Sequence, residues 1–375
     1  MQLNDSLRNQ WNNILGIVFI EGLLIYGIAM DLIEYPGLWY TYPYLILLMV
    51  GVIKICLQAN TWKEWLLTVG LLTVGYLSWK GSTDRSSLLF MLAVCCCKYI
   101  QLEKVVKADI CVRIGSLIFR VIFGCVGVLP NNINVIIGGR PRTFFSWGHP
   151  NGMGLFFLML CMDWIYLRHK KMKWFEYIGI VLLVVFLDMT ANSRTTELVI
   201  LVVLVLEGTG WFLWKKGQSD CLFWKLVSVG SLGISVLMPV MGVIICQMFG
   251  VARAVTIGTL GDRFMFTYGF LNDHGISLFG KPYTEGTYEY LDILFANCFL
   301  YRGIIFGVIV LLLAIVALKV LFKKHDNRYL LILLAMFLFG VAEQEHVNLI
   351  YSMFPILLGI PMWEYLEKAG SSRKA

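Results

Sequence analysis

Arginine, histidine and carboxylate side chains gather in the connections between the apolar runs of this sequence. The first such connection reads GGRPRTFFSWGHPNGMGLFF and contains Arg140, Arg142, His149 and Asn151. Its glycines and prolines favour a loop, and Pro150 suits the first turn of the helix that follows. Two arginines beside the free N–H groups of a helix start predict a site for an anion such as phosphate. In the alternative interpretation, His149 and Asn151 only cap that helix.

A second connection, DMTANSRTTELV at 188–199, places Arg194 in a very short turn between two apolar runs. Because both neighbouring helices would position such a turn, its arginine can be held still, as stabilising a transition state requires. The planar guanidinium also binds phosphate or carboxylate through two hydrogen bonds, which lysine cannot do. The alternative is a turn that only reverses the chain and carries a Ser or Thr cap.

The longest polar interruption is the segment 250–303, which we expect to face outward. Asp292 lies on a short apolar stretch, eleven residues before Gly303 and the next long apolar run. Burial there would raise the pKa of its carboxyl and suit it to proton transfer, whereas a neighbouring arginine would lower the pKa and suit it to orienting a substrate. The alternative role is an ion pair with Arg263 or Arg302. The segment also holds Arg253, Asp262, Arg263, Asp273, His274, Glu285 and Glu289.

The composition indicates which elements must position these side chains. Hydrophobic residues make up 58% of the 375 residues, charged residues make up 15%, and the mean hydropathy is +0.74. A soluble domain contains about 25% charged residues. The apolar runs reach the ~20 residues that a helical span needs, and no stretch alternates like a strand of a membrane barrel. The sequence therefore predicts an all-α polytopic membrane protein.

Cysteines and net charge exclude several other classes of protein. The ten cysteines lie mostly inside apolar runs and lack metal-ligand spacing, so neither a disulfide framework nor a zinc site is expected. The outer carboxylates show no convincing metal-ligand spacing, and neither a metal nor another cofactor is expected. The net charge of +7 comes largely from short basic connections. That distribution indicates membrane topology rather than nucleic-acid binding.

About twelve apolar runs are candidates for membrane spans. Lysines concentrate in alternate connections, such as RHKKMK, which by the positive-inside rule lie in the cytoplasm together with both termini. Arginines prevail in the other connections, and buried pairing with one of them is expected for the closing turn that holds Glu343, Glu345, His346 and Asn348. We expect one membrane domain, 1–375, with an extracytoplasmic loop at 249–302 that carries short helices and precedes the third-last span. The runs lie near 14–30, 43–58, 65–79, 87–100, 111–129, 150–167, 176–190, 196–213, 225–248, 303–322, 329–343 and 348–364.

Four motifs taken together resemble a known group of proteins. They are RTFFSWGHPNGMG at 142–154, NSRT at 192–195, GDRF at 261–264 and the loop end LDILFANCFLYRG. In this order and placement they resemble the bacterial O-antigen polymerase and ligase superfamily, particularly the Wzy-type polymerases of capsule and exopolysaccharide pathways. The resemblance covers most of the chain from about Arg140 onward. Asp292 stands where the ligases have their proposed catalytic histidine, which favours polymerase over ligase activity.

The resemblance implies a multi-spanning glycosyltransferase of the bacterial plasma membrane. It would transfer a growing glycan from undecaprenyl diphosphate to a hydroxyl of the next lipid-linked repeat unit, on the outer face and without a metal. The implied catalytic residues are Asp292, which would deprotonate or orient that hydroxyl, and Arg194 and Arg263, which would neutralise the diphosphate. The implied substrate-binding residues are Arg140, Arg142, His149, Asn151 and His274.

The same resemblance implies the partners. They are undecaprenyl-diphosphate-linked oligosaccharides and membrane lipids, with a flippase and a chain-length regulator of the same pathway as further candidates, and no nucleic acid. Three alternatives remain open, namely an O-antigen ligase activity, a transporter of lipid-linked oligosaccharides and a non-catalytic scaffold of polysaccharide assembly. The transporter is the main rival, although the sequence shows no repeated halves of the kind that transporters tend to have.

Overall fold

A computed structural model of the chain describes most of its residues. The described residues are 2–31, 41–58, 61–129, 135–137, 140–145, 147, 149–216, 221–251, 259–283, 291–344, 347–348 and 351–371. Arg253, Glu285 and Glu289 lie outside them. The side chain of Arg140 also lies outside the described part, although its backbone belongs to a strand.

The described residues form fourteen α-helices and one short hairpin. The helices are α1 Gln2–Asp31, α2 Thr41–Gln58, α3 Trp62–Ser82, α4 Ser86–Cys95, α5 Leu102–Cys125, α6 Pro150–Arg168, α7 Trp174–Met189, α8 Arg194–Lys215, α9 Cys221–Phe249, α10 Thr259–His274, α11 Leu294–Ala296, α12 Ile304–Lys324, α13 Asn327–Phe339 and α14 Phe354–Ser371. The hairpin joins β1 Val135–Ile137 to β2 Arg140–Arg142. α11 continues as a π-helical turn, Asn297–Tyr301. The short helices within 249–302 are therefore α10 and α11.

Six helices of the described residues are long and apolar enough to cross a membrane. They are the helices that contain Leu7–Met30, Thr41–Gln58, Pro150–Arg168, Arg194–Lys215, Leu222–Phe249 and Ile304–Lys324. Ser86–Cys95 and Asn327–Phe339 are apolar but shorter. The chain is thus an all-α protein with the helices of a membrane protein. A total of about twelve spans, and the cytoplasmic position of both termini, stay predictions.

Contacts divide the chain into two compact units, and each consists of segments that are not consecutive. Unit 1 comprises Met1–Gln58, Tyr99–Asp220 and Leu349–Met353. Unit 2 comprises Ala59–Lys98, Cys221–Asn348 and Phe354–Ala375.

In unit 1 the pairing of elements brings two polar connections to one end of the helices. α1 packs on α2 and α5, α5 packs on α6, and α8 packs on both α6 and α7. Val135 pairs with Arg142 across the antiparallel hairpin. The N–H of Thr143 donates to the carbonyl of Thr190 at 3.0 Å. Since Thr190 directly follows α7, the hairpin is joined to the turn that leads to Arg194.

The core of unit 2 is built around α13. Its side chains from Tyr329 to Phe337 are all buried, as expected for a helix that is hydrophobic all round. α13 packs on α9, α12 and α14. Nearby, Phe90 of α4 meets Phe306 of α12 and Phe354 of α14 edge to face, with ring centroids 5.5 and 6.2 Å apart.

The start of α12 in unit 2 is fixed by a close backbone approach. The N–H groups of Ile304 and Ile305 donate to the carbonyls of Ser277 and Leu278, at 3.0 and 3.2 Å. These bonds satisfy donors that the first helical turn cannot satisfy internally. Gly303 caps the helix with φ of +99°, a conformation that favours glycine. The segment after α10 is thereby held against the start of α12.

Arg302, directly before that cap, is a buried structural cation. It is 2% exposed. It donates to Asn297 Oδ1 at 2.7 Å, to Ser87 Oγ at 2.9 Å and to Asp84 Oδ2 at 2.7 Å. Its own carbonyl accepts from Ser78 Oγ at 2.7 Å. Arg302 therefore joins α3, α4 and α11 and is not the partner of Asp292.

We expect Gly303→Ala to destabilise the protein by about 3 kcal/mol or more, because a Cβ adds backbone strain and a steric clash. That Cβ would lie 2.6 Å from the carbonyl carbon of Phe279. The measurement is thermal unfolding in detergent, followed through labelling of the buried thiols of Cys95, Cys96 and Cys97 as they become accessible.

Gly70→Ala in α3 is the matched control, since a methyl group at that position would have no atom within 4 Å. It should be neutral or stabilise the protein by up to about 1 kcal/mol. Equal unfolding temperatures for the two variants would contradict the role of Gly303.

Candidate functional site

In unit 2, Arg263 lies between two carboxylates that come from distant parts of the sequence. Its Nε is 3.5 Å from Asp292 Oδ2, and its Nη2 forms an ion pair with the Glu343 carboxylate. The side chains of Arg263, Asp292 and Glu343 are 13%, 29% and 4% exposed. Asp292 is thus the most accessible member of the group. The pairing expected for Glu343 is confirmed, and so is the ion pair of Asp292 with Arg263.

Local packing explains why α10 presents Arg263 at this point. The next residue, Phe264, enters an apolar cluster with Cys246, Ile293 and Ala296. It packs so closely on α9 that a Cβ at Gly242 would lie 2.5 Å from its ring. With Phe264 fixed in the cluster, the neighbouring arginine is fixed at its edge.

The backbone that carries Asp292 is held on both sides. The N–H of Leu291 donates to Tyr283 Oη at 2.9 Å, and Tyr283 stacks on Tyr301 with ring centroids 4.2 Å apart. The N–H of Leu294 donates to the carbonyl of Gly340 at 2.9 Å. The carboxyl of Asp292 is therefore positioned by flanking residues and not only by its charge.

The environment of Asp292 raises the pKa of its carboxyl toward neutral pH. Burial raises the pKa of Asp292 to about 6, and the positive charge of Arg263 opposes that rise. A carboxylate with a pKa near the working pH suits general base catalysis. Of the two effects considered for this residue, desolvation outweighs the neighbouring arginine.

His274 lies at the opposite end of α10 from this group. Eleven residues separate it from Arg263, or ~16 Å along a helix axis. Its ring packs on Phe270 with centroids 4.6 Å apart, and its carbonyl accepts a hydrogen bond from Lys281 Nζ. His274 and Arg263 therefore belong to unit 2 without forming one site.

In unit 1, Arg142 is the residue that links the other predicted site residues. Its charge acts on His149 and on the carboxylate of Glu197. Arg194 acts on the same carboxylate. Arg194 is exposed and is the first residue of α8, one turn before Glu197. Arg142 and Arg194 thus both act on Glu197, as does the neighbouring carboxylate of Asp188, whereas His149 is linked to the group through Arg142.

His149 caps the start of α6. Its Nδ1 accepts from the backbone N–H of Asn151 at 3.2 Å, and Pro150 is the first residue of the helix. Burial, and to a lesser extent the charge of Arg142, lower the pKa of His149. The ring is therefore neutral at pH 7 and adds no positive charge. The capping interpretation is confirmed for His149, and Asn151 takes part through its backbone.

The start of α8 is held against α6 by small side chains. Ser193 Oγ and Thr196 Oγ1 are 3.1 Å apart and buried. A Cβ at Gly154 would lie 2.5 Å from the first and 2.6 Å from the second oxygen. The glycine of the motif HPNGMG therefore permits the close approach that positions Arg194.

Glu197 is a site residue that sequence reasoning missed. It is 9% exposed, and its Oε1 accepts no hydrogen bond from the described residues. The sequence alone could have indicated Glu197, because it is an acid inside an apolar run and ionisable groups in membrane spans are commonly functional. Arg194 was the conspicuous charge of the turn, whereas Glu197 lies within the helix that follows.

The candidate residues thus form two groups, one in each unit. The unit 1 group consists of Arg142, Arg194, Glu197 and His149, and the unit 2 group consists of Arg263, Asp292 and Glu343. Within the described ranges, no three His, Cys, Asp or Glu side chains are grouped as a metal site would require. No protein-family model, curated protein or solved structure matches the chain.

We expect Arg263→Met to destabilise unit 2 by about 3–5 kcal/mol, because it removes the positive charge opposite a buried carboxylate. The side chain of Glu343 is only 4% exposed. The double variant Arg263→Met, Glu343→Met should recover most of that loss. The measurement is the free energy of unfolding of the two single variants and the double variant.

The matched control is the exposed pair of Lys107 and Glu103, whose side chains are 59% and 50% exposed. Breaking that pair should cost less than about 0.5 kcal/mol. A coupling energy between Arg263 and Glu343 as small as that of the exposed pair would contradict the buried ion pair.

Proposed function

We propose that this protein polymerises lipid-linked oligosaccharide repeat units of a capsule, exopolysaccharide or O-antigen. It transfers the growing glycan from undecaprenyl diphosphate to a hydroxyl of the next lipid-linked unit, at the outer face of the bacterial plasma membrane. The observation that carries this proposal is the environment of Asp292. Its carboxyl is partly exposed, lies in a connection between apolar helices and is 3.5 Å from the guanidinium of Arg263. Burial raises its pKa to about 6. The motif resemblance described above supports the same function.

The proposed reaction uses Asp292 as the base. The acceptor hydroxyl loses its proton to Asp292 as its oxygen bonds to the anomeric carbon, and the bond from that carbon to the diphosphate breaks. The lipid diphosphate leaves with the electron pair. Arg263 already faces two carboxylates, so we assign it as a positioning residue for Asp292 and not as the binder of the diphosphate.

The diphosphate requires more positive charge than Arg263 supplies, because Arg263 already faces two carboxylates. Arg194 is exposed at the first turn of α8, where helix N–H groups also favour an anion. Arg142 lies close to the same carboxylate, Glu197. Arg194 and Arg142 are proposed to bind a lipid diphosphate at unit 1, and their chemistry needs no metal.

The test of this function is chain elongation by the purified full-length protein. Supplied with lipid-linked repeat units in the presence of a chelator, it should lengthen them, as seen by gel electrophoresis of the glycans. Arg194→Lys keeps the charge but loses the planar guanidinium and its two parallel hydrogen bonds, and it should lower the rate by about 10²-fold. Arg328→Lys, at a half-exposed arginine of α13, should leave the rate unchanged.

Failure of the folded wild-type protein to elongate these substrates would overturn the proposed function. Elongation by Arg194→Lys at the wild-type rate would remove Arg194 from diphosphate binding but leave the polymerase proposal standing.

The pH dependence of elongation tests Asp292 itself. The base acts in its ionised form, so kcat/KM should rise as the pH increases through about 6 and level off above it. Arg263→Gln removes the charge that opposes the raised pKa, so the rise should move to higher pH. Asp292→Asn should abolish the rise and lower activity by about 10²-fold or more.

Asp273→Asn is the matched control, since Asp273 is an exposed carboxylate near the end of α10. It should keep both the rate and the pH profile of the wild-type protein. The base assignment would be contradicted if kcat/KM of the wild-type protein did not rise near pH 6. It would also be contradicted if Asp292→Asn kept the pH dependence of the wild-type protein.

A second candidate function is transport of lipid-linked oligosaccharides. One observation favours it, the group of buried carboxylates on α1, α5 and α6 of unit 1, because intramembrane acids mark proton relays in transporters. A transporter would move the substrate between leaflets of a vesicle without lengthening the glycan. The elongation assay therefore separates the two functions.

A further inference from the structure

Three carboxylates and one guanidinium are buried together in unit 1, away from the polar connections. Glu21 belongs to α1, Asp109 and Arg113 belong to α5, and Asp163 belongs to α6. Their residues are 6%, 1%, 1% and 0% exposed. Glu21 interacts electrostatically with Asp109 and Arg113, and Asp163 interacts with all three. We call these four residues the acid cluster.

The positive charge of the acid cluster is committed to one of its carboxylates. Arg113 Nε donates to Asp109 Oδ2 at 2.7 Å, one helical turn away. Its Nη2 donates to the carbonyl of Tyr351 at 3.3 Å. Asp109 and Arg113 thus form a buried ion pair with no net charge, and among the described residues Glu21 and Asp163 form no ion pair of their own.

Glu21 and Asp163 are also left without hydrogen-bond donors. Neither oxygen of either carboxylate accepts a hydrogen bond from the described residues. An ionised carboxylate in such surroundings is strongly unfavourable, and a proton removes that cost. The carboxyl of Asp163 lies within hydrogen-bonding reach of Asp109. Two ionised carboxylates repel each other, whereas a proton on Asp163 allows it to donate to Asp109.

Other charged groups on the elements around the acid cluster have partners elsewhere. Lys54 of α2 donates to Asn12, and Arg120 of α5 donates to the carbonyl of Ile28. On α8, Glu207 bonds to His169 at 2.7 Å, and Glu197 interacts with the arginines of the unit 1 group. Cys161, which interacts electrostatically with Asp163, is a further titratable neighbour on α6. Arg113 is the cation that acts on both Glu21 and Asp163.

A small cavity meets the acid cluster at Arg113 and extends to Gly152 in the first turn of α6. It has a volume of about 10 Å³, roughly the room that one water molecule needs. Its lining includes Arg113, Arg120, Trp147, Gly152 and Phe156. Trp147 and Gly152 flank the helix start at Pro150, the end opposite the basic segment RHKKMK. In the orientation that the lysines predict, that end faces outward.

We propose that the acid cluster is a proton-binding site of the membrane-embedded part of the protein. At neutral pH, Glu21 and Asp163 each hold one proton and Asp109 stays ionised beside Arg113. These two protons exchange with outside water through the cavity at Gly152. The step moves protons only, from water to carboxylate oxygen and back, and needs no other reactant. It is independent of whether the protein elongates or transports its glycan.

The test is infrared spectroscopy of the purified full-length protein at pH 8, where a protonated carboxyl gives a carbonyl stretching band that shifts in D₂O. The wild-type protein should show this band, and Glu21→Gln and Asp163→Asn should each remove one of its two components. Glu103→Gln, at a half-exposed carboxylate, should leave the band unchanged. Absence of the band from the wild-type protein, or its persistence in full in both variants, overturns the proposal.

The path of exchange is tested by covering the mouth of the cavity at Gly152. No atom lies within 4 Å of a Cβ placed on Gly152, so Gly152→Leu should be tolerated, with its side chain lying over that mouth and hindering water. The band should then shift in D₂O at least about tenfold more slowly than in the wild-type protein. Gly115→Leu, at an equally open and exposed position of α5, should exchange at the wild-type rate. Equal rates in all three proteins overturn exchange through this cavity.

Discussion

A charge taken out of water must be met by an opposite charge or neutralised by a proton, and this constraint governs the interior of both units. Its effect is strong here because the surrounding helices are almost entirely apolar. Arg302 with Asp84, Arg263 with Glu343, and Lys98 with Glu64 meet the constraint in unit 2. Each pair joins segments that are far apart in the sequence, so it stabilises the packing that brings them together.

The carboxylates that these ion pairs do not neutralise are the groups that remain available for chemistry. Asp292 shares its arginine with Glu343 and keeps a pKa of about 6, between those of an ordinary acid and a fully buried one. Glu197 has an oxygen without a hydrogen bond among the described residues, close to two arginines. In the acid cluster two carboxylates accept no hydrogen bond from the described part of the chain. The base, the anion-binding group and the proton site that we propose therefore follow from the same imbalance of charge.

Close approaches at glycine set the positions of these groups. The absence of a side chain at Gly303 lets the segment after α10 pack against the start of α12. The absence of one at Gly242 lets Phe264, the neighbour of Arg263, pack against α9. In unit 1, Gly154 brings the start of α8 against α6 and so positions Arg194. A larger side chain at any of these points would move a whole helix, because backbone or a buried side chain faces it. The geometry of the site thus depends on residues that carry no chemistry.

The class of the protein and the approximate place of its helices could be predicted from the amino-acid sequence alone. The runs predicted near 150–167 and 176–190 are α6 Pro150–Arg168 and α7 Trp174–Met189. This succeeded because hydropathy and length are local properties of a helix in an apolar environment. Capping of α6 by His149 also depends only on neighbouring residues, and the sequence predicted it as one of two alternatives.

Which charges meet depends on the packing of the helices. Arg263 and Glu343 are 80 residues apart, and Arg302 and Asp84 are 218 apart. Nothing in an apolar run states which other helix it packs against, since most of its side chains would suit many neighbours. For the same reason the acid cluster, drawn from three helices, could not be assembled from the sequence, and Glu197 was passed over. The sequence supplied the charged residues, and the tertiary structure determined which became ion pairs and which were left to bind a proton or a substrate.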